Sequence, residues 1–427
     1  MEFAASLVVQ IYLWFCLAMG LLYLPRILFY FFAFKKQKRL KNDKKNKIAV
    51  IIPARNESVV IKDCLNSLSN QTYDRHFFDI HIVVADPTDQ TIKIAADFDR
   101  TFVTAILDQT CKGDALDGIL KKLLKSPDQY DAYLIVDADN LAAPNLLEEM
   151  NNALVSGKQI ICGKKLIKNW SSSRRDSRSF NSNCTALIYT LVDEMGNRAR
   201  NSLGLAVTMI GTGMMVRADV IKQNNGWPYR SLTEDYQMTA DSITKGWSSM
   251  YYSYARVYTE EAIDKKTSFK RKVRWIRGHV ECKKMYQKAI RKKVFKRKTP
   301  FLNWGFCIST IPVNLFFAAS VIVLNFGLVA LGLNLGGADI GLRAVLWLLI
   351  APFVVIYGSL FIFTLIILIA DRRFFKIPLH EKLLVLFFHP FYSFGYLPIY
   401  IKANIASPNY FKWEETTRVP FELKSDL

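Results

Sequence analysis

Between residues 48 and 139 four apolar runs recur, IAVIIP, DIHIVVAD, TFVTAIL and DAYLIVDAD, each followed by a helix-like stretch. Apolar runs without polar alternation describe strands buried on both faces. Strands separated by helices describe a parallel sheet covered on two sides. The helices are expected from about Ser58, Thr91 and Asp114, and after Pro144. In open sheets of this kind ligands bind at the carboxyl ends of the strands. Arg55, Asn56 and Glu57 follow the first run, Asp86 ends the second, and Asp137 with Asp139 ends the fourth. The alternation thus predicts a soluble α/β unit and locates its site.

Apolar segments of another kind flank this unit. Residues 3–24 are nearly uncharged over 22 positions, and about 20 suffice to cross a bilayer. The run is too long for a signal peptide, and its positive charge follows rather than precedes it. The runs 303–332 and 344–370 read as a transmembrane hairpin, and 383–405 as a segment that spans, lies along or re-enters the interface. The net charge of +20, from 57 basic and 37 acidic residues, concentrates in Lys35–Lys47 and Lys265–Lys298, both beside apolar segments. Basic residues there mark the cytoplasmic side and attract anionic lipid. Nucleic acid is not an expected partner, because no RNA-binding or helix-turn-helix pattern accompanies the charge. Seven scattered cysteines without a C-x-x-C pair argue against a zinc site or disulfide framework. The expected organisation is an N-terminal transmembrane helix (1–34), a basic juxtamembrane linker (35–47), a cytoplasmic catalytic domain (48–264) and basic interfacial helices (265–300). A transmembrane hairpin (301–370) and an interfacial or re-entrant segment with a cytoplasmic tail (371–427) complete it. This implies a multi-pass membrane protein.

Several residues in the soluble unit carry candidate chemistry. On a strand, positions i and i+2 share a side, so Asp137 and Asp139 can face one site. Two carboxylates so placed suit a hard divalent cation, Mg²⁺ or Mn²⁺, shared with phosphate oxygens. A solvated turn is the bland alternative. Thr233-Glu234-Asp235 precedes a helix-like stretch, where a capping threonine with acids in the first turn would suffice. Asp235 is also a candidate general base. Arg274 can grip phosphate and Trp275 can wall a sugar face, although both also suit an ordinary interface helix. Gly211-Thr212-Gly213 permits a tight turn or close approach to a ligand, and Lys112 before Gly113 can place a cation at a phosphate.

Taken in order, these segments resemble the membrane-embedded family 2 glycosyltransferases, the group of hyaluronan, chitin, cellulose and poly-N-acetylglucosamine synthases. The matching segments are Pro53-Ala54-Arg55-Asn56-Glu57, Asp86, KGDAL from Lys112, Asp137 to Asp139, Thr233 to Asp235, and Arg274-Trp275. The resemblance implies an α/β GT-A (Rossmann-like) cytoplasmic domain plus transmembrane and interfacial helices. It implies an inverting hexosyl- or N-acetylhexosaminyltransferase that adds a sugar from a UDP-sugar to a growing extracellular polysaccharide. Pro53, Ala54, Asn56, Glu57, Asp86, Lys112 and Asp137 would bind the nucleotide sugar, with Asp86 on uracil, and Asp137 and Asp139 would hold the metal. Asp235 would be the base, with Glu234, Arg274 and Trp275 beside it, and Gly211, Thr212, Gly213 and Trp275 would meet the acceptor. Arg271 stands where the synthases carry glutamine, which keeps a second outcome open: one transfer to a lipid acceptor, polyprenyl phosphate or diacylglycerol. A homo-oligomer or an export partner stays open too. A non-catalytic scaffold or sugar-nucleotide sensor is the rival from another class.

Overall fold

The computed structural model describes residues 28–127, 129–171, 178–308 and 342–406, with Gln10 and Trp14. Apart from those two residues, the expected span at 3–24 lies outside the described residues. So do most of the run 303–332 and the tail 407–427.

An eight-stranded sheet organises the chain, formed by β1 (Ile48–Pro53), β2 (Phe78–Val84), β3 (Thr101–Ala105), β4 (Ala132–Ile135), β5 (Leu141–Ala142), β6 (Ile160–Ile167), β7 (Met214–Arg217) and β8 (Ser249–Thr259). Their order is β3-β2-β1-β4-β7-β6-β8-β5. The four predicted strands are present and pair in parallel, with Ile48 opposite Ala132 and Phe78. The remainder corrects the all-parallel expectation: β7 runs antiparallel to both β4 and β6, and β5 antiparallel to β8. The physical reason is the route of the chain. β7 enters directly from the loop Gly211–Gly213, beside the end of β4, so it runs back along that strand.

Alternate residues of β1 serve opposite faces. Ile48, Val50 and Ile52 pack with Ile61, Cys64, Leu65 and Leu68 of helix α1 (Ile61–Ser69), an i, i+3, i+4, i+7 stripe. Ala49 and Ile51 pack instead with Leu116, Ile119 and Leu120 of helix α2 (Lys112–Lys125). Burial on both faces is why β1 reads as a continuous apolar run; truncating Ile51 to alanine should cost about 2–5 kcal/mol.

The basic linker is an extended strap on the catalytic domain. Arg39 pairs with Glu149, the Leu40 amide donates to the Tyr252 hydroxyl, and Asn46 bonds Asn151 at 2.7 Å. The predicted interfacial helices form one 31-residue helix, α3 (Lys265–Phe295). Its buried Cys282 packs with Tyr236, Ala240 and Ile243 of helix α4 (Glu234–Lys245), and Gly278 meets Thr233 at the start of that helix. A Cβ at Gly278 would lie 2.4 Å from Thr233 Oγ1, so the two helices meet in close contact there.

Among the described residues one helical stretch, Leu379–Ile405, is long and apolar enough to cross a membrane; Ile356–Ala370 is a shorter apolar stretch. The several spans read from the sequence therefore reduce to one among the described residues. The stretch 379–405 presents Phe387, Phe388, Phe391, Leu397 and Ile401 outward, while Ile399 and Ala403 pack on Val273 of α3. The charged run from Asp371 is also partly buried. Asp371 joins Lys164 and Thr190, and Glu381 accepts from Asn183 at 2.8 Å.

Candidate active site

Local chemistry at the end of each strand places the candidate residues. After β1 the Ala54 amide bonds the Val83 carbonyl at 2.8 Å, holding the turn against β2. Asn56 follows at φ 57°, and its amide donates to Asp89 at 2.9 Å. Asparagine tolerates this left-handed backbone better than most residues. Asp86 lies exposed after β2, where its carboxylate accepts from the Thr88 hydroxyl and amide, both at 2.7 Å. Those two donors hold it below the usual carboxylate range.

Lys112 is the first residue of α2, and its Nζ donates to Asp137 at 2.6 Å and to the Gly211 carbonyl at 2.7 Å. Glu234 lies 3.5 Å from the same nitrogen. Burial alone would discharge this lysine; Asp137, Glu234 and Asp235 more than reverse that and raise its pKa. Gly113 has a packing role of its own, since a Cβ there would strike the Tyr229 carbonyl at 1.9 Å.

The loop Gly211-Thr212-Gly213 knits the site together. Thr212 is buried, and its hydroxyl accepts from the Asp137 amide at 3.1 Å and from Asn140 Nδ2 at 2.5 Å. Gly211 and Gly213 have φ of 79° and 60°, in the region that favours glycine. A Cβ on Gly211 would sit 3.0 Å from Asp235 Oδ2 and 3.8 Å from Lys112 Nζ. This loop therefore lets Asp235, Lys112 and Asp137 converge.

Asp235 stands in the first turn of α4, and its Oδ1 accepts from the Tyr236 amide at 2.7 Å. Burial, then the Glu234 charge, push its pKa up to about 7 against the pull of Lys112. Thr233 makes no side-chain cap; it fills the contact with Gly278 instead, so the capping explanation of this motif fails. Arg274 donates to the Leu232 carbonyl at 3.1 Å, directly before Thr233. Burial lowers its pKa, opposed by Glu234, Asp235 and Asp137, which marks it as part of the same acidic neighbourhood. Trp275 packs against Tyr189 at 6.4 Å between ring centroids, and the Arg271 guanidinium lies 5.4 Å from the Trp275 ring centroid. Asp139 is buried at the same strand end. Among the described residues no cluster of three or more His, Cys, Asp or Glu could hold a metal alone.

Residues 45–278 match the profile of the family described as glycosyltransferase like family 2. The chain belongs to this family. The glycosyltransferase match takes in every candidate residue above, from Pro53 to Trp275. Two curated relatives are named as probable glycosyltransferases. YdaM of Bacillus subtilis is 24% identical over 55% of this chain and 55% of its own length. One from Sulfolobus acidocaldarius is 23% identical over 57% of this chain and 52% of its own. The chain thus spans about half the length of the curated relatives it matches. Among solved structures, the mannosyltransferase PcManGT from Pyrobaculum calidifontis, in complex with GDP-Man and Mn2+, aligns over 91% of this chain and 96% of its own, with a TM-score of 0.55 and 15% identity. The α/β GT-A fold expected from the sequence is borne out at this level.

Two groups at the site escaped sequence reading. Lys165, on β6, is partly exposed with its Nζ 4.4 Å from the Tyr189 ring centroid. Glu261 is buried, accepts from the Tyr189 hydroxyl and pairs with Arg271 at 3.5 Å. Neither lies in a recognisable motif; an isolated KK pair in the strand IICGKKLI was the available signal.

Proposed function

We propose that this chain is an inverting, membrane-associated glycosyltransferase that moves a sugar from a UDP-sugar onto a hydroxyl of a growing extracellular polysaccharide. The observation that carries the reading is Asp235. Its carboxylate has a pKa raised to about 7 and converges with Lys112 and Asp137 at the carboxyl end of β4. A base poised near the working pH combines an available ionised form with useful proton affinity. Asp235 takes the proton of the acceptor hydroxyl as that oxygen bonds to the anomeric carbon. The bond from that carbon to the donor phosphate breaks on the opposite face, and the nucleoside diphosphate leaves with the electron pair. Arg274 lies where it can offset the charge that develops, Glu234 sets the field around the base, and Trp275 walls the acceptor side. Pro53, Ala54, Asn56, Glu57 and Asp86 are assigned to the nucleotide, with Asp86 against the base. Lys112, tied to Asp137, stands ready to meet the phosphates.

Asp137 and Asp139 fit a Mg²⁺ or Mn²⁺ ion held jointly with a donor. Two carboxylates at one strand end, with no third ligand among the described residues, suit an ion that completes its shell from substrate phosphates and water. Such an ion supplies charge neutralisation of the diphosphate when bound. The Mn2+ and GDP-Man in PcManGT support this assignment by analogy of fold.

The exposed aromatic face of Leu379–Ile405 and the basic helix α3 support a position at the cytoplasmic face of the plasma membrane, with the stretch 379–405 in contact with lipid. That face also favours a second reading, one transfer to a lipid acceptor, because it lies beside the elements that carry Trp275. The deciding experiment measures diphosphate release by the full chain in lipid nanodiscs, across UDP- and GDP-sugars with Mn²⁺ or Mg²⁺, and sizes the product. Release with a UDP-sugar and a ladder of products supports polymer extension. A single glycolipid supports the second reading, and release only with GDP-sugars overturns the donor assignment.

A further inference from the structure

Around Trp275, the proposed acceptor wall, stands a group of side chains of which Lys165, Tyr189 and Arg271 have no role in the reaction as described. Lys165 on β6, Tyr189 on the helix Phe180–Thr190, and Arg271 and Trp275 on α3 all come from elements after Asp139 in the chain. In the sheet, β6 and β8 lie on one side of β4, whereas β1 and β2, which carry the nucleotide motifs, lie on the other. The group is therefore on the acceptor side of the Asp137/Asp139 strand end.

Its construction is that of a floor with two cations on it. The rings of Tyr189 and Trp275 contact each other, Lys165 lies over the first and Arg271 over the second. Glu261 anchors this floor by accepting from the Tyr189 hydroxyl and pairing with Arg271. Lys165 is left with no carboxylate bonded to its Nζ among the described residues. Burial lowers its pKa, and Glu261, Asp137 and Asp139 oppose that from within electrostatic range. The other cations around the floor differ in their partners. Lys168 is matched by Glu260 at 3.0 Å and Arg271 by Glu261. Among the described residues Lys272 bonds the hydroxyls of Ser268 and Tyr392, and Arg274 bonds a carbonyl. A partly exposed lysine over a ring face, with no carboxylate bonded to its Nζ, can take up an incoming anion.

We infer that Lys165 and Arg271, set over the paired rings of Tyr189 and Trp275, form an anion subsite on the acceptor side of Asp235. The acceptor would carry an oxyanion group, carboxylate or phosphate, near the sugar that offers its hydroxyl. The inference rests on the glycosyltransfer reading for its direction, because it treats Asp235 as the base. The rings stack a sugar face while the cations take the charge. A phosphate oxygen acting as the nucleophile itself would need no base, whereas Asp235 converges with Lys112 and Asp137 where an acceptor hydroxyl would lose its proton. The anion is thus a recognition group rather than the attacking atom.

The test is a binding measurement that needs no turnover. The full chain in nanodiscs is titrated calorimetrically with phenyl glucoside, phenyl glucuronide and a phenyl glucoside phosphate, in the presence of saturating UDP and Mn²⁺. One charged probe should bind about tenfold tighter than the neutral one, and which of the two does so names the source of the charge. Lys165→Gln should abolish that preference and Lys165→Arg should retain it, while the Kd of UDP stays the same in both. Equal affinity for all three probes in the unaltered protein overturns the inference. So does a preference that survives Lys165→Gln, or a loss of UDP affinity that moves Lys165 to the donor side. Failure of the glycosyltransfer reading shows separately, as absence of diphosphate release with every donor, and leaves the binding ratios readable.

Discussion

The two halves of the sheet treat their carboxylates in opposite ways. On the β1–β2 side, Asp86 is exposed and kept ionised by its neighbour Thr88. On the side of β7 and α4, Asp235 is sheltered and held near neutrality of charge, with a pKa of about 7. The first arrangement suits a loop that recognises a ligand and releases it, since each bond there is local and wet. The second suits a proton acceptor, whose environment was assembled from the adjacent Glu234 and three distant segments, at Lys112, Asp137 and Gly211. Recognition needs little framework, whereas shifting a pKa needs buried structure.

The contrast should be greatest at Asp235. Asp235→Asn keeps the shape and removes the base, so transfer should fall by about 10³-fold, measured as diphosphate release, with UDP affinity retained. The same variant sharpens the contrast through stability. The folded state holds the Asp235 proton more tightly than an unfolded chain with an ordinary carboxylate does. Stability from this group is therefore lost as pH rises from the ordinary carboxylate range through about 7. Asp235→Asn should melt higher than the unaltered protein at about pH 8 and equally at about pH 4. An equal melting difference at both would show that burial does not perturb Asp235.

A second large effect should appear where the C-terminal segment meets the sheet. Lys164 is fully buried between Glu194 and Asp371, and Asp371 also accepts from Thr190 at 3.0 Å. Asp371→Ala leaves Lys164 undercompensated and should cost about 3 kcal/mol in denaturant unfolding. Among the described residues no corresponding buried pair ties the Asp86 loop, so Asp86→Ala should leave stability unchanged.

The pH–rate profile should report the sheltered half alone. With Asp235 as the proposed base, transfer requires its ionised form, so the logarithm of the rate should climb with a slope of one below about pH 7 and level off above it. A plateau that extends down into the ordinary carboxylate range would place the controlling base elsewhere.

What the sequence made legible follows the same division. The β1–β4 alternation, the strand-end residues and the ordered motifs were readable because each is local: periodicity, turns and acids close in the chain. The antiparallel β7, the strap at 35–47 and the Lys164–Asp371 pair were not, because their partners lie far away in the chain, 207 residues for that pair. Lys165 was hidden for the same reason. A single lysine in an apolar strand acquires meaning only when Tyr189, Glu261 and Arg271 are brought to it by packing. Thr233 was misleading in the other direction, since its sequence context fits a helix cap and its side chain packs on Gly278 instead.

The smallest effect belongs to the exposed half, and it tests the donor assignment. Asp86 is already ionised and solvated, so a nucleobase that bonds it exchanges one set of hydrogen bonds with water for another. The net gain is about 1 kcal/mol, and Asp86→Ala should weaken UDP binding by roughly fivefold. The pH dependence of transfer should keep its midpoint, because Asp86 does not appear among the charges that set Asp235. Unchanged UDP affinity would remove Asp86 from the base pocket and leave the choice between uracil and guanine to other residues of the loop Asp86–Thr91. A shifted midpoint would mean that the two halves are electrically coupled, and that the separation between a wet recognition loop and a sheltered base fails in the working enzyme.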